Sequence, residues 1–285
     1  VENIIMTTPP DKDGRVPDVI LAAAKLAGVS RIVRLGGAQA VAALAFGTQS
    51  IPRVDKIVGP GNVYVATAKQ RAYALGLCDI DMVAGPSEIM VIADEHNDPE
   101  IVAADLLSQA EHDKLASSWL VTTSAALADA VTAALEKQIP RLSRADIARA
   151  SIDSNGRIML VQRLSDAVKI ANEIAPEHLE VAVDDPFALL PLLRNAGSIF
   201  LGRHTPEPLG DYLAGPNHTL PTSGTARYSS PLGVDDFCKR SSYLYYSAEA
   251  LQKVERDVIR FANSEGLTAH AEAVAVRMRK GAQDQ

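Results

Sequence analysis

The run Glu88-Ile-Met-Val-Ile-Ala93 decides the fold class of this 285-residue chain. It follows a turn built around Gly85-Pro86, and a helical pattern begins at about residue 98. A short apolar run after a Gly-Pro turn is predicted to be a strand that starts a new unit of the chain. Short β-branched runs that alternate with helical stretches predict an α/β protein with parallel sheets.

The same alternation continues beyond this strand. We predict helices at 98–112, 125–137, 164–175 and 186–196, a polar helical stretch to about 152, and strands at 118–123, 157–162, 179–183 and 198–201. Residues 203–236 are rich in Pro, Gly, Ser and Thr and are predicted to be irregular, as in segments that are functional or disordered. Helices at 248–262 and 267–279 are expected to follow.

The residues before Gly85 show the same pattern. Strands are predicted near 1–8, 31–36 and 56–59, with helices near 16–28, 38–47 and 62–76. Gly28 suits a helix end, and Gly36-Gly37 suits a tight strand-to-helix turn. Because the Gly-Pro turn interrupts the alternation, we expect a domain boundary near residue 85.

Composition narrows the class of protein. The chain is 47% hydrophobic and 22% charged, with a formal net charge of -7, which predicts a soluble globular protein. No basic stripe interleaved with aromatic residues is visible, which argues against a nucleic-acid partner. No apolar run approaches the roughly 18 to 20 residues that span a bilayer, so no membrane partner is expected. Cys78 and Cys238 lie far apart, which favours neither a disulfide framework nor a thiolate metal site, and a reducing cytoplasmic setting is expected.

The segment Ser108-Gln-Ala-Glu-His112 holds the first candidate for chemistry. Residues three apart share a helix face, so Gln109 and His112 can point into one cleft and hold a metal or a polar substrate. The alternative is a helix end with solvated polar residues, because isolated histidine matches are common.

A second candidate is Pro176-Glu-His-Leu179, at a predicted junction of helix and strand. Glu177 can orient or deprotonate a water, and His178 can shuttle a proton near neutral pH. The alternative is a buried or capping Glu-His pair. Asp211 and His218 lie in the irregular segment and add a carboxylate and an imidazole.

The metal and nucleotide signals are indirect. Nitrogen from His112 and His270 with oxygen from Gln109 and Asp211 would suit Zn, Mn or Co, although no local spacing rule joins these residues. The fingerprint G-x-G-x-x-G is missing. Two turns, Gly36-Gly-Ala-Gln-Ala40 and Gly59-Pro-Gly-Asn62, link strands to helix N-termini, where anions bind, although tight structural turns have the same composition.

Taken together, these segments resemble the histidinol dehydrogenase family over essentially the whole chain. The motifs that carry the resemblance are Gly36-Gly-Ala-Gln-Ala40, Val54-Asp-Lys-Ile-Val-Gly-Pro-Gly-Asn62, Ala84-Gly-Pro-Ser-Glu88, Leu106-Leu-Ser-Gln-Ala-Glu-His112, Pro176-Glu-His-Leu179, Gly210-Asp-Tyr212, Asn217-His218 and Leu267-Thr-Ala-His270.

The resemblance implies a role for each candidate residue. It implies that zinc is bound by Gln109, His112, Asp211 and His270. Of these ligands, His270 comes from the helical arm and reaches the site of the partner subunit in a homodimer. Glu177 and His178 correspond to the acid-base pair. The substrate-contacting positions of the family include the zinc ligands and His178, together with Ser87, His218 and Glu265. The positions near NAD are matched by Gln39 and Asn62.

The implied reaction is two successive NAD-dependent oxidations in histidine biosynthesis, from L-histidinol to L-histidinaldehyde and then to L-histidine. The implied fold is α/β, with two Rossmann-like βα units, the first incomplete at its N-terminus, and a C-terminal helical arm. We accordingly expect an NAD-side domain at 1–85, a second domain with most zinc and catalytic residues at 86–232, and a dimerisation arm at 233–285.

Members of that family carry a sizeable segment before the position at which this sequence starts. A half-built domain leaves a sheet edge unpaired, so we expect a chain that is less stable, more prone to associate or dependent on a companion piece. One alternative to the dehydrogenase is therefore a catalytically silent chain that retains zinc and dimer contacts. Another is a zinc hydrolase, although four protein ligands leave little room for a metal-bound hydroxide.

Overall fold

The computed structural model describes residues 1–281, which form two compact units. The first unit spans Val1–Phe237, and the second begins at Cys238. Within the described residues, no helix is both long enough and apolar enough to cross a membrane. The boundary expected near residue 85 stays a prediction, and the strands on both sides of it belong to the first unit.

Two small parallel sheets form near the N-terminus of the first unit. Strand β1 (Ile5–Thr7) pairs with β2 (Arg31–Val33), and β3 (Lys56–Ile57) pairs with β4 (Asp79–Ile80). The helices of this region are α1 (Asp18–Leu26), α2 (Gly37–Phe46) and α3 (Val63–Ala74). Helices α2 and α3 pack on β3 through a cluster of buried apolar side chains that includes Val41, Leu44, Ile57 and Ala72.

A five-stranded parallel sheet dominates the rest of the first unit, as the sequence predicts. Its order is β7-β6-β5-β8-β9. The strands are β5 (Glu88–Ala93), β6 (Ser117–Thr122), β7 (Arg157–Leu160), β8 (His178–Ala182) and β9 (Ser198–Leu201). The chain therefore passes from β5 outward to β6 and β7 and then returns to the other side of β5, so β5 and β8 are neighbours.

Both faces of this sheet are covered, because successive side chains of a strand point to opposite faces. Ile89 and Val91 belong to one buried cluster, which includes residues of α4 (Pro99–Ala110), α5 (Ala125–Gln138) and α6 (Ala145–Asn155). Met90 and Ile92 belong to the other, which includes residues of α7 (Leu164–Ile174). Each of these four β5 side chains is fully buried, which contributes about 1.5–3 kcal/mol apiece.

The structure corrects two predicted segments and adds two short elements. The helix expected at 186–196 is only α8 (Pro186–Leu189), followed by a 3₁₀ turn at Leu190–Leu192, because Pro191 cannot supply the next helical N–H. The segment 203–236 contains a short helix, α9 (Glu207–Tyr212), and 3₁₀ turns at Thr225–Arg227 and Val234–Phe237. A further 3₁₀ turn, Ile139–Arg141, follows α5, and β4 was not predicted.

The second unit is a pair of helices, as expected for the C-terminal arm. Helix α10 (Ala248–Ser264) is capped by Ser247, whose Oγ accepts the Ala250 N–H. The chain then turns at Gly266, which has φ 72°, before α11 (Thr268–Gly281). The two helices pack against each other. The final four positions of the predicted arm, 282–285, lie outside the described residues.

Candidate active site at the amino edge of the five-stranded sheet

His178 is the buried centre of the candidate site. It begins β8 and lies in register with Ile89, so it sits beside the start of β5. The side chain is nearly enclosed, with the residue only 4% exposed, and Nδ1 lies 2.9 Å from the backbone oxygen of Glu88. A carbonyl only accepts, so Nδ1 carries the proton and Nε2 of the neutral ring presents a lone pair. Burial also lowers the pKa of His178, which favours this neutral form.

Glu177 lies beside His178 because of how α7 ends. Ala175 closes that helix in the left-handed conformation, with φ 54°, and Pro176 prevents its continuation. The buried Glu177 carboxylate then accepts the Glu88 N–H through Oε2 at 3.0 Å. Burial raises the pKa of Glu177 to about 8, and the neighbouring carboxylates Glu88, Asp211 and Glu207 add to this rise. Glu177 Oε2 lies 3.6 Å from His178 Nδ1, so a carboxyl group and an imidazole are buried side by side.

Helix α9 contributes two carboxylates to the same place. Glu207 and Asp211 are four residues apart and share a helix face. Glu207 is only 2% exposed, and its Oε1 lies 3.7 Å from His178 Nε2. Among the described residues, His178, Glu207 and Asp211 each offer one ligand atom, and these atoms lie within 4.8 Å of one another. Burial and the Asp211 carboxylate raise the pKa of Glu207 to about 7.

Gln109 and His112 approach from the end of α4. Gln109 is 1% exposed, and neither its Oε1 nor its Nε2 has a hydrogen-bond partner within residues 1–281. The predicted helix at 98–112 ends earlier, at Ala110, because the chain turns at Glu111 and the His112 N–H bonds to the backbone oxygen of Gln109 at 3.0 Å. His112 is exposed and close enough to His178 that its charge lowers the pKa of that imidazole.

The other predicted substrate residues are placed less centrally. Ser87 directly precedes β5 at the same sheet edge and is partly buried, whereas His218 is exposed in the segment after α9. Glu265 and His270 belong to the second unit, where Glu265 follows α10 and His270 lies near the start of α11. Both are exposed.

The two predicted NAD positions lie at the N-termini of α2 and α3. Gln39 is exposed in the first turn of α2, which follows Gly36 without a side-chain cap. Gly37 has φ 75°, and a Cβ there would lie 2.9 Å from the Gln39 Oε1. Asn62 caps α3, since its Oδ1 accepts the N–H groups of Tyr64 and Val65. Uncapped N–H groups at the start of α2 suit an anionic group such as a pyrophosphate.

The loop that carries Asn62 is fixed by a buried ion pair that sequence reasoning did not single out. Lys69, 2% exposed, pairs with Asp81 and donates to the Gly59 oxygen at 2.9 Å. Asp81 accepts the Gly59 N–H at 2.7 Å. Gly59 adopts φ 117°, which a residue with a side chain rarely adopts. The buried charges of Lys69 and Asp81 therefore fix the start of the Gly59–Asn62 turn through hydrogen bonds to the Gly59 backbone.

Three further acidic residues near the site were also missed. Glu88 begins β5, Glu180 lies within the fully buried strand β8, and Glu207 is in α9. A charge inside the run His178-Leu-Glu-Val-Ala182 was the available signal for Glu180, because Glu is almost never fully buried without a partner. Glu207 offered no such signal, since its segment was predicted to be irregular.

A second acidic cluster lies at the opposite, carboxyl edge of the sheet. Asp94 follows β5, and Asp184 follows β8. The Arg203 guanidinium pairs with both carboxylates, and His96 Nδ1 lies 2.8 Å from Asp184 Oδ2. These acids are already neutralised by a side-chain cation, so we assign no ligand to them.

The donors at the amino edge suit a zinc ion better. Gln109, His112 and Asp211 offer one amide, one imidazole and one carboxylate, which is a mixed N/O set appropriate for zinc. The buried Gln109 Oε1 has no hydrogen-bond partner within the described residues, as expected of an oxygen that binds a cation.

Comparisons with known proteins identify the family. The histidinol dehydrogenase family model matches residues 1–278. Histidinol dehydrogenase of Clostridium acetobutylicum is 59% identical over 279 residues, and that of Syntrophotalea carbinolica is 58% identical over the same length. The crystal structure of histidinol dehydrogenase from Elizabethkingia anophelis superposes with a TM-score of 0.91 at 40% identity.

Each of these three matches covers 98% of this chain and 64% of the relative. The chain thus spans just under two thirds of the length of the relatives it matches, and within that span the resemblance predicted from its motifs is confirmed. The chain belongs to the histidinol dehydrogenase family.

Proposed function

We propose that this chain carries the catalytic centre of a zinc- and NAD-dependent histidinol dehydrogenase, which oxidises L-histidinol to L-histidine through L-histidinaldehyde. The observation that carries the proposal is the convergence of a buried acid-base pair, Glu177 and His178, with Asp211 and Gln109. Family membership supports the substrate and the place in histidine biosynthesis. We further propose a cytoplasmic homodimer and interpret the five-stranded region, in which the strand order reverses between β5 and β8, as Rossmann-like.

In this proposal the metal would be held by Gln109, His112 and Asp211, and by His270 from the partner copy. NAD would lie near Gln39 and Asn62. Zinc would supply an anchor for the amine and imidazole nitrogens of histidinol, and NAD would supply the acceptor for the hydride. Ser87, His218 and Glu265 would contact the substrate.

His178 acts as the base in both oxidations. Its Nδ1–H is fixed by the Glu88 oxygen, so the lone pair on Nε2 is free to take the hydroxyl proton of the substrate as the hydride leaves carbon. In the second half-reaction the ionised form of Glu177 takes a proton from the water that adds to the aldehyde, and the proton held by His178 passes to the aldehyde oxygen. His178, neutral again, then removes a hydroxyl proton of the hydrated aldehyde as the second hydride leaves carbon. Both residues are held by the backbone of Glu88, which keeps their side chains in a constant relative position.

Steady-state kinetics of single variants test the assignment. We expect His178→Asn and Glu177→Gln to lower histidinol-dependent NADH formation by about 10²–10⁴-fold, the usual contribution of a general acid or base. The exposed residues His204 and Glu95 provide matched controls, His204→Asn and Glu95→Gln, which should keep the parent rate. Near-parent rates for both site variants would refute the assignment. A parent chain that binds zinc and forms no NADH would favour the silent alternative.

A further inference from the structure

Glu207 takes no part in the proposed reaction, yet it is buried at its centre. Its backbone N–H donates to Glu180 Oε1 at 2.7 Å, which fixes the start of α9 against β8. One side-chain oxygen, Oε2, lies 3.4 Å from Ser108 Oγ. The other, Oε1, is buried with no hydrogen-bond partner within residues 1–281. A buried carboxylate oxygen without a partner costs free energy, so an unused oxygen here calls for an explanation.

Gln109 has the complementary deficit. Both Oε1 and Nε2 are buried and lack partners among the described residues. Gln109 directly follows Ser108, whose Oγ lies 3.4 Å from Glu207 Oε2, so the amide and the carboxyl group belong to the same contact between α4 and α9. An amide that binds a cation does so through its oxygen, and its NH₂ group must then face an acceptor on the other side. A buried carboxyl oxygen without a partner, such as Glu207 Oε1, can serve as that acceptor.

We propose that Glu207 is a positioning residue for the metal site, and that its Oε1 accepts a hydrogen bond from Gln109 Nε2 and so turns Gln109 Oε1 towards the cation. The two ends of an amide are nearly equivalent in shape, and this bond would fix which end faces the cation. The inference deepens the proposed function and rests on its zinc site. Glu207 acts through Gln109 and is not itself counted among the ligands.

A double-variant cycle on zinc affinity tests the inference in the full chain. Zinc affinity is measured by competition with a chromophoric chelator, and the absorption spectrum of the cobalt-loaded protein reports the ligand geometry. We expect Glu207→Leu, which removes the acceptor at similar size, to weaken zinc binding by about 10–100-fold, as the loss of residues that orient metal ligands does. The cobalt spectrum should change in the same way as in Gln109→Ala. Glu95→Gln, which removes an exposed carboxylate, should match the parent.

The decisive comparison is the pair Gln109→Ala and Gln109→Ala/Glu207→Leu. If Glu207 acts through Gln109, the second change adds no more than about a 3-fold effect once the amide is gone. Additive losses, or parent-like zinc affinity of Glu207→Leu with an unchanged cobalt spectrum, would overturn the inference and leave the zinc site standing. A parent chain that binds no zinc would remove the proposed function and this inference with it. Circular dichroism and Tm confirm that each variant is folded.

Discussion

Replacement of Glu180 by glutamine should make the stability of the protein less sensitive to pH. Glu180 is 3% exposed on β8 and lies against Asp105 of α4. Burial, with the adjacent Asp105 charge, raises the pKa of Glu180 to about 9, while burial raises the pKa of Asp105 to about 6. The folded pair therefore keeps one proton between about pH 6 and about pH 9, which Glu180 donates to the Asp105 carboxylate.

The magnitude follows from proton counting. In the unfolded chain both carboxyls have pKa values near 4 and are ionised above about pH 6. The folded state then holds about one proton more than the unfolded state, so the free energy of unfolding falls by about 1.4 kcal/mol per pH unit. From pH 6.5 to pH 8.0 this contribution amounts to about 2 kcal/mol. The contribution of this pair to the free energy of unfolding is therefore complete at low pH and is lost as the pH rises towards the pKa of Glu180 in the folded protein.

Urea denaturation of the metal-free protein at several pH values measures this effect. Glutamine keeps the shape of Glu180, can accept the Glu207 N–H and can donate to Asp105, so Glu180→Gln should remain folded. We expect the variant to gain stability relative to the parent by about 2 kcal/mol between pH 6.5 and pH 8.0. The exposed substitution Glu95→Gln should follow the parent. Parallel pH profiles for Glu180→Gln and the parent would refute the buried proton.

Two further substitutions test packing that supports the site. Lys69→Met leaves the Asp81 carboxylate buried without its cation, so we expect the free energy of unfolding, measured by urea denaturation, to fall by about 3–5 kcal/mol. The control Lys169→Met removes the cation of an exposed pair and should lower it by at most about 1 kcal/mol. Equal losses would contradict the burial argument. In Gly197→Ala the new Cβ would lie 2.5 Å from the backbone oxygen of Glu177, so we expect the free energy of unfolding to fall by about 1–3 kcal/mol. An unchanged free energy of unfolding would mean that the backbone shifts without cost to make room. Gly233→Ala, where the nearest atom is 3.9 Å away, should be close to neutral.

The strands and helices of the large sheet could be predicted because their sequence patterns are strong. The run from Glu88 to Ala93 is continuous and apolar, and the structure buries it on both faces. The pattern from 248 to 279 likewise yielded the two helices of the second unit. In both places local propensity and burial favour the same conformation, so tertiary contacts had nothing to override.

Helix α9 could not be predicted for the opposite reason. The segment Pro206-Glu-Pro-Leu-Gly210 has low helix propensity, and its first turn is stabilised by a distant residue, since Glu180 accepts the Glu207 N–H. The small pair β3 and β4 is only two residues long per strand, too short for any periodic pattern. Such elements exist because of tertiary contacts.

The composition of the candidate site was predicted better than its geometry. The motifs named Gln109, Glu177, His178 and Asp211, but only the register between β5 and β8 explains why Glu177 and His178 both bond to the backbone of Glu88. No spacing along the chain encodes a parallel register between strands that are ninety residues apart. Glu207 escaped notice because its segment was predicted to be irregular, although its Oε1 lies only 3.7 Å from His178 Nε2.

The stoichiometry of the reaction is the most direct test of the proposed function. The parent chain, loaded with zinc and supplied with excess NAD, is given a limiting amount of L-histidinol, and NADH is measured at completion. Two consecutive oxidations at one site predict about two NADH per histidinol, with histidine as the product. One NADH per histidinol, with the aldehyde left in solution, or none at all, would contradict the proposal that this chain performs both steps.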